Sequence, residues 1–152
     1  MRRGAPAFVW LALGSALGPG CKDAPLSPSH KIEVRRVAGD QIEIVPLAGT
    51  PTNCLVFTIS ASGVVRQLTM NADQTSLDCE PGTRIGKESF RIPAREGKVR
   101  IFAVFSDQKL AAGPIAEQVN ELGGKPGFTG LDLRAPGHVV TDLVEFAPET
   151  SP

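Results

Sequence analysis

Leu55-Val56-Phe57-Thr58-Ile59-Ser60-Ala61, a turn at Ser62-Gly63, and then Val64-Val65-Arg66-Gln67-Leu68-Thr69-Met70 decide the class of fold. Leu55, Phe57, Ile59 and Ala61 recur at a period of two, which places them on one face of a strand. A Ser-Gly pair between two runs rich in β-branched residues predicts a hairpin. Toward the N-terminus the same period returns: Ile32 and Val34 alternate with Lys31, Glu33 and Arg35, and Ile42 and Ile44 with Gln41 and Glu43. Ala38-Gly39-Asp40 between these runs supplies a tight connection, so a second antiparallel hairpin is expected.

Toward the C-terminus, residues 71–86 are polar, with Asp73, Asp78, Glu80, Pro81 and Gly82, and predict a long loop stapled by Cys79. A strand is expected over 87–92, a turn at Pro93-Ala94-Arg95-Glu96-Gly97, and then the run Val99 to Phe105. That run is apolar on both faces after Arg100, as a central, fully covered strand must be. One helix is expected where Gly113 can cap, Pro114 suits the first helical position, Ile115, Val119 and Leu122 share a face, and Gly123 stops it. Residues 123–137 are rich in Gly and Pro and predict a loop with a brief strand over 128–133; Val139 to Phe146 predicts a final strand. The expected fold is mainly β, an antiparallel β-sandwich or small barrel of about seven or eight strands with one short helix. It occupies residues 31–147 as a single domain, and residues 148–152 are expected to fray.

The ends of the chain carry a different message. Arg2 and Arg3 precede an apolar run from Ala5 to Leu17, and Gly18-Pro19-Gly20-Cys21 follows. A short positive region, about a dozen apolar residues and small residues at the end predict a secretory signal over 1–20, too short to span a bilayer. This segment resembles the leader of bacterial lipoproteins, with Gly20 before Cys21 matching and Leu17 and Pro19 departing from the pattern. The resemblance implies cleavage before Cys21, acylation of that thiol and attachment to a membrane. Three cysteines in an oxidising compartment leave one odd, and a lipid on Cys21 leaves Cys54 and Cys79 to pair as a structural disulfide. Lys22-Asp23-Ala24-Pro25-Leu26-Ser27-Pro28-Ser29 cannot pack a core, so residues 21–30 are expected to form a semi-extended tether ending at His30. The expected location is the bacterial cell envelope; Asp23 stands two residues after Cys21, not directly after it, which favours the outer membrane over the inner.

Residues 54–122 resemble a β-rich family of unknown function in bacterial secreted and surface proteins, often seen beside kinase-like, caspase-like or anti-sigma regions. The resemblance lies in Ser60-Ala61-Ser62-Gly63, Val65-Arg66-Gln67-Leu68, Ile92-Pro93, and Gly97 leading to Ile101-Phe102-Ala103-Val104-Phe105-Ser106, and it departs at Thr69-Met70. It implies a β-fold accessory or sensory domain without known catalytic residues.

Charge and composition narrow the functions. Lys and Arg together number 16, as do Asp and Glu, and cleavage after residue 20 removes Arg2 and Arg3 for a formal net of −2. Such a balance lacks the basic footprint that nucleic acid would require. Tyrosine is absent and the single tryptophan, Trp10, lies in the leader, so Phe, Val, Ile and Leu must build the core. His30 and His138 are the only histidines, and no third ligand stands at motif spacing, so no metal and no cofactor is expected. Ser60, His138 and Asp142 could be drawn as a triad, but Ser60 sits in no strand-to-helix elbow. Asp78 with Glu80, and Glu117 with Glu121, would do acid–base work only if burial raised one pKa. Gly123-Gly124-Lys125-Pro126-Gly127 is superficially similar to a phosphate loop but lacks a following Ser or Thr and follows a helix; it predicts a flexible connection.

Arg84, Lys87, Arg91, Arg95, Lys98 and Arg100 crowd one stretch of sequence. Arg91 and Arg100, on strands joined by a hairpin, would share a face and offer a contact stripe to lipid head groups, an anionic glycan or another envelope protein. The expected function is a lipid-anchored, non-enzymatic interaction or assembly module of the envelope. A small periplasmic hydrolase or glycan-processing enzyme is the first alternative, and a binder of an apolar or lipid ligand in a barrel lined by Phe57, Phe102 and Phe105 is the second.

Overall fold

Among the described residues, eight strands and one α-helix follow one another in the order β1 (Ile32–Ala38), β2 (Gln41–Pro46), β3 (Asn53–Ser60), β4 (Val65–Gln67), β5 (Leu77–Asp78), β6 (Phe90–Arg91), β7 (Val99–Ser106), α1 (Ala112–Leu122) and β8 (Val139–Phe146). The computed structural model describes residues 29–149. The leader, Cys21 and residues 150–152 lie outside the described residues.

Two antiparallel sheets face each other as an open sandwich, not a closed barrel. The smaller has the order β1-β2-β6 and the larger β4-β3-β7-β8, with β5 also pairing with β3. Between them lie Ile32, Ile42 and Ile44 from the small sheet and Cys54, Val56, Val99, Ile101, Ala103 and Phe105 from the large one. On the opposite face of the large sheet, Leu55, Phe57, Ile59, Phe102 and Val104 pack against Leu110, Ile115, Val119 and Phe128, so α1 and the segment after it form a third layer. Alternation along β3 and β7 therefore feeds two cores at once, and all eight residues of β3 are buried. The Leu55 strand, expected to hide one face, is as central as β7. Phe102 closes the helical side with an edge-on contact to Phe128, ring centroids 5.0 Å apart.

The β1–β2 hairpin forms as expected, with Ala38 paired to Gln41 across Gly39-Asp40 and a bulge between Arg36 and Ala38. The second hairpin is shorter than its sequence suggests: β4 stops at Gln67. The reason is local. Thr69 Oγ1 accepts the Val56 amide at 2.8 Å, so a side chain takes the place of the ladder.

Three other expectations need correcting. Only Phe90–Arg91 of the 87–92 stretch is strand, and it pairs with β2 (Gln41 with Arg91, Ile42 with Phe90), not with β7. Pro93, a 3-10 turn at Ala94–Glu96 and Gly97 at φ +62° carry the chain from one sheet to the other. Second, residues 128–133 hold a 3-10 turn at Gly130–Asp132 in place of a strand, closed by a reciprocal capping box between Thr129 and Asp132. Third, α1 starts at Ala112 behind Ala111, so Gly113 and Pro114 stand inside its first turn, where amides have no helical acceptor anyway. Gly123 does end the helix but at φ −61°. A glycine is required there by space: a Cβ would sit 2.6 Å from the Val119 carbonyl oxygen and 3.1 Å from Ile59 Cδ1.

Gly130 is a second steric lock, because a Cβ on it would overlap the Thr141 side chain of β8. Gly130→Ala is expected to lower stability by about 2 kcal/mol through overpacking. Thr141→Gly in the same chain should recover most of that loss, as measured by urea unfolding of the single and double variants.

Candidate functional site

Cys54 and Cys79 form the expected disulfide, with Cα atoms 5.8 Å apart. Both are buried between the sheets. The bridge draws the 71–86 loop onto β3, and the loop is less solvated than its composition implies: Ile85 is 1 % exposed and joins the same core.

The paper triad is not assembled. Ser60 ends β3 opposite Val99, whereas His138 precedes β8, whose first residue Val139 pairs with Ser106. Seven residues of strand separate those two levels, about 23 Å. Ser60 Oγ instead meets Ser62 Oγ at 2.9 Å and accepts the Val64 amide. His138 is held through its own amide, which donates to Asp107.

Asp142 has a different task. From the middle of β8 its Oδ2 accepts the Lys31 amide at 2.6 Å and the Ile32 amide at 3.0 Å, and its Oδ1 lies 3.1 Å from His30 Nδ1. The end of the expected tether is thereby fixed to the large sheet, a contact that residue spacing across more than a hundred positions could not reveal. The two histidines stay apart, and no group of three or more metal-ligating side chains gathers among the described residues.

The two carboxylate pairs lie on different surfaces. Glu117 and Glu121 lie exposed along α1. Asp78 and Glu80 line an open hollow of about 400 Å³ with Thr83, Arg84 and Lys87. Displaced titrations occur elsewhere. The Arg35 guanidinium, bonded to Glu33 at 2.7 Å, holds that carboxyl below its ordinary value and is itself raised. The Thr75 hydroxyl does the same to Asp73. All three groups are exposed, on an edge strand and a loop, and they do not converge.

Arg91 and Arg100 do not share a stripe, because β6 and β7 belong to different sheets. Arg91 pairs with Asp40 at 3.0 Å on the small sheet. Arg100 faces the helical side of the large sheet and donates to the Gly123 carbonyl. The last turn of α1 contains no basic residue of its own, so Arg100 supplies from β7 the positive charge that a helix C-terminus favours. Two of the remaining four basic residues are neutralised locally: Arg84 bonds Glu43 and Lys98 bonds Glu145, each at 2.5 Å.

What the fold does bring together is a depression of about 310 Å³ at one end of the large sheet. Ile59, Ser60 and Ala61 from the end of β3, Lys98, Val99 and Arg100 from the start of β7, Glu145 from β8 and residues 124–127 line it. Its three cations come from two separate segments, so the crowding visible between 84 and 100 points to only two of them. The third, Lys125, lies in the Gly-rich connection. Phe57, Phe102 and Phe105, expected to share a ligand cavity, face two different cores and are fully buried.

No protein-family model, no curated protein and no solved structure matches this chain.

Proposed function

We propose that the chain is a lipid-anchored, non-enzymatic interaction or assembly module of the bacterial envelope, carried on Cys21 and a short tether. The observation that carries this reading is the clamp at Asp142. His30, Lys31 and Ile32, where the Pro- and Ser-rich segment ends, are bonded to the middle of β8, so a tether would meet the domain at one fixed point. Contacts would then fall on surfaces that the anchored domain leaves open. β8 ends the large sheet with no strand on its outer side among the described residues, a template for strand addition. The opposite solution appears on β1, where exposed Glu33, Arg35 and Arg36 guard the edge.

A non-enzymatic role is supported by the dispersal of Ser60, His138 and Asp142 and by the structural work each already does. Among the described residues no helix is long and apolar enough to cross a membrane, and attachment would rest on acylation at Cys21.

Intact mass of the protein purified from membranes of its native host tests the anchor. The expected mass begins at Cys21 with added acyl chains, and two alkylatable thiols appear only after reduction. A mass without lipid would overturn the anchored reading and leave a free exported domain.

A further inference from the structure

We propose that the depression between the end of β3, the start of β7 and residues 124–127 binds a phosphate group, with Arg100 as its principal ligand and Lys125 as the second cation. The inference stands whether or not Cys21 carries lipid.

The half-buried setting of Arg100 is the starting point. Among the described arginines only Arg66 and Arg100 are half-buried, the others being exposed. Arg66 has a carboxylate partner in Glu96 at 3.3 Å, whereas Arg100 has none within ion-pair distance among the described residues. Withdrawing a guanidinium from water without a counterion is unfavourable. The Gly123 carbonyl relieves part of this but is a neutral acceptor serving one of five N–H donors. The natural counterion is at hand and is taken: Glu145 stands directly opposite Arg100 in the β7–β8 register, yet its carboxylate bonds Lys98. Of the lining cations Lys98, Arg100 and Lys125, two therefore lack an anion, and the lining carries a formal net of +2.

That excess matches one phosphate dianion. A planar guanidinium fork and a mobile ammonium complement its tetrahedral oxygens, while a carboxylate would balance only one of the two charges. The walls suit a small group attached to an apolar or sugar body, since Ala61 and Pro126, both exposed, supply apolar surface. Gly63 and Gly124 meet backbone to backbone, a Cβ on Gly63 falling 3.5 Å from Gly124 Cα, which brings the Lys125 connection against the β3–β4 turn. The Gly123–Gly127 segment thus acquires a role through its position beside Arg100, although it is not a strand-to-helix phosphate loop.

The test is a titration of the full chain, in nonionic detergent and at constant ionic strength, followed by amide and arginine side-chain NMR. Inorganic phosphate should give saturable shifts at Ser60, Arg100 and residues 124–127, with a Kd on the order of 1 mM. Arg100→Gln should weaken binding about tenfold and Lys125→Gln about threefold, with Arg91→Gln unchanged. If Arg100→Gln does not fold, Lys125→Gln and Arg100→Lys decide the matter, the second keeping the charge but losing the fork. Micelles doped with short-chain phosphatidic acid, set against phosphatidylcholine, separate the sources. Tighter saturation by the former assigns the phosphate to a lipid, and binding of inorganic phosphate alone assigns it to a soluble ester. Shifts that do not saturate, or wild-type affinity in both Lys125→Gln and the Arg100 variant, would overturn the site.

Discussion

Asp142→Ala should destabilise the domain by about 4 kcal/mol, the largest loss expected of any single polar substitution in it. The side chain is 11 % exposed and accepts four hydrogen-bond donors: the amides of Lys31, Ile32 and Leu143 and the His30 ring. Hydrogen bonds to a charged acceptor contribute about 1.5–3 kcal/mol each, and Ile32, 2 % exposed, would retain a donor with no acceptor near it. If the segment frays to find water, the first β1–β2 pair, Ile32 with Pro46, opens and apolar surface is exposed. Asp142→Asn keeps one acceptor oxygen and should cost about half as much. His30→Ala should cost under about 1 kcal/mol, because that partner is 46 % exposed. Urea unfolding ranks the three, and amide exchange at Lys31 and Ile32 locates the change. A loss below about 1 kcal/mol in Asp142→Ala would mean that packing, not this carboxylate, joins β1 to the large sheet.

The physical reason that the clamp is invisible in sequence also explains what was legible. Period-two alternation reports which residues share a face, and it placed β1 and β2, while β7 was legible as a run apolar on both faces. It cannot report which sheet a strand joins. Phe90-Arg91 lies close in sequence to β7 but pairs with β2, and the contact stripe drawn through Arg91 and Arg100 failed for that reason alone. Residues 71–86 illustrate the converse. Their polar composition hides Ile85, a core residue, and Ser76, whose side chain accepts the Leu110 amide at 3.0 Å. The depression had one sequence sign, a basic stretch, but its completion by Lys125 depends on α1 folding back across the large sheet.

The disulfide carries the second large effect. Replacing Cys54 and Cys79 together by Ala should lower stability by about 3.5 kcal/mol, the chain-entropy value for a bridge across 25 residues. The 71–86 loop that it staples to β3 is already bound on three sides. Cys79 donates its amide to Thr52, Gly82 to Pro46 of β2, and Ser76 to Leu110 ahead of α1, while Ile85 fills the core between the sheets. These contacts keep the folded geometry when the bridge is absent, so the loss arises chiefly in the unfolded chain, which gains the freedom the bridge denied it. Two signatures follow. The slope of unfolding free energy against urea should steepen, because a chain without the crosslink exposes more surface. Amide protection along β3 and β7 should fall only in proportion to global stability, with no selective opening of either strand. Selective loss of protection at residues 76–86 would reverse the account: the bridge would then act on the folded state, holding a strap that its own hydrogen bonds cannot keep in place.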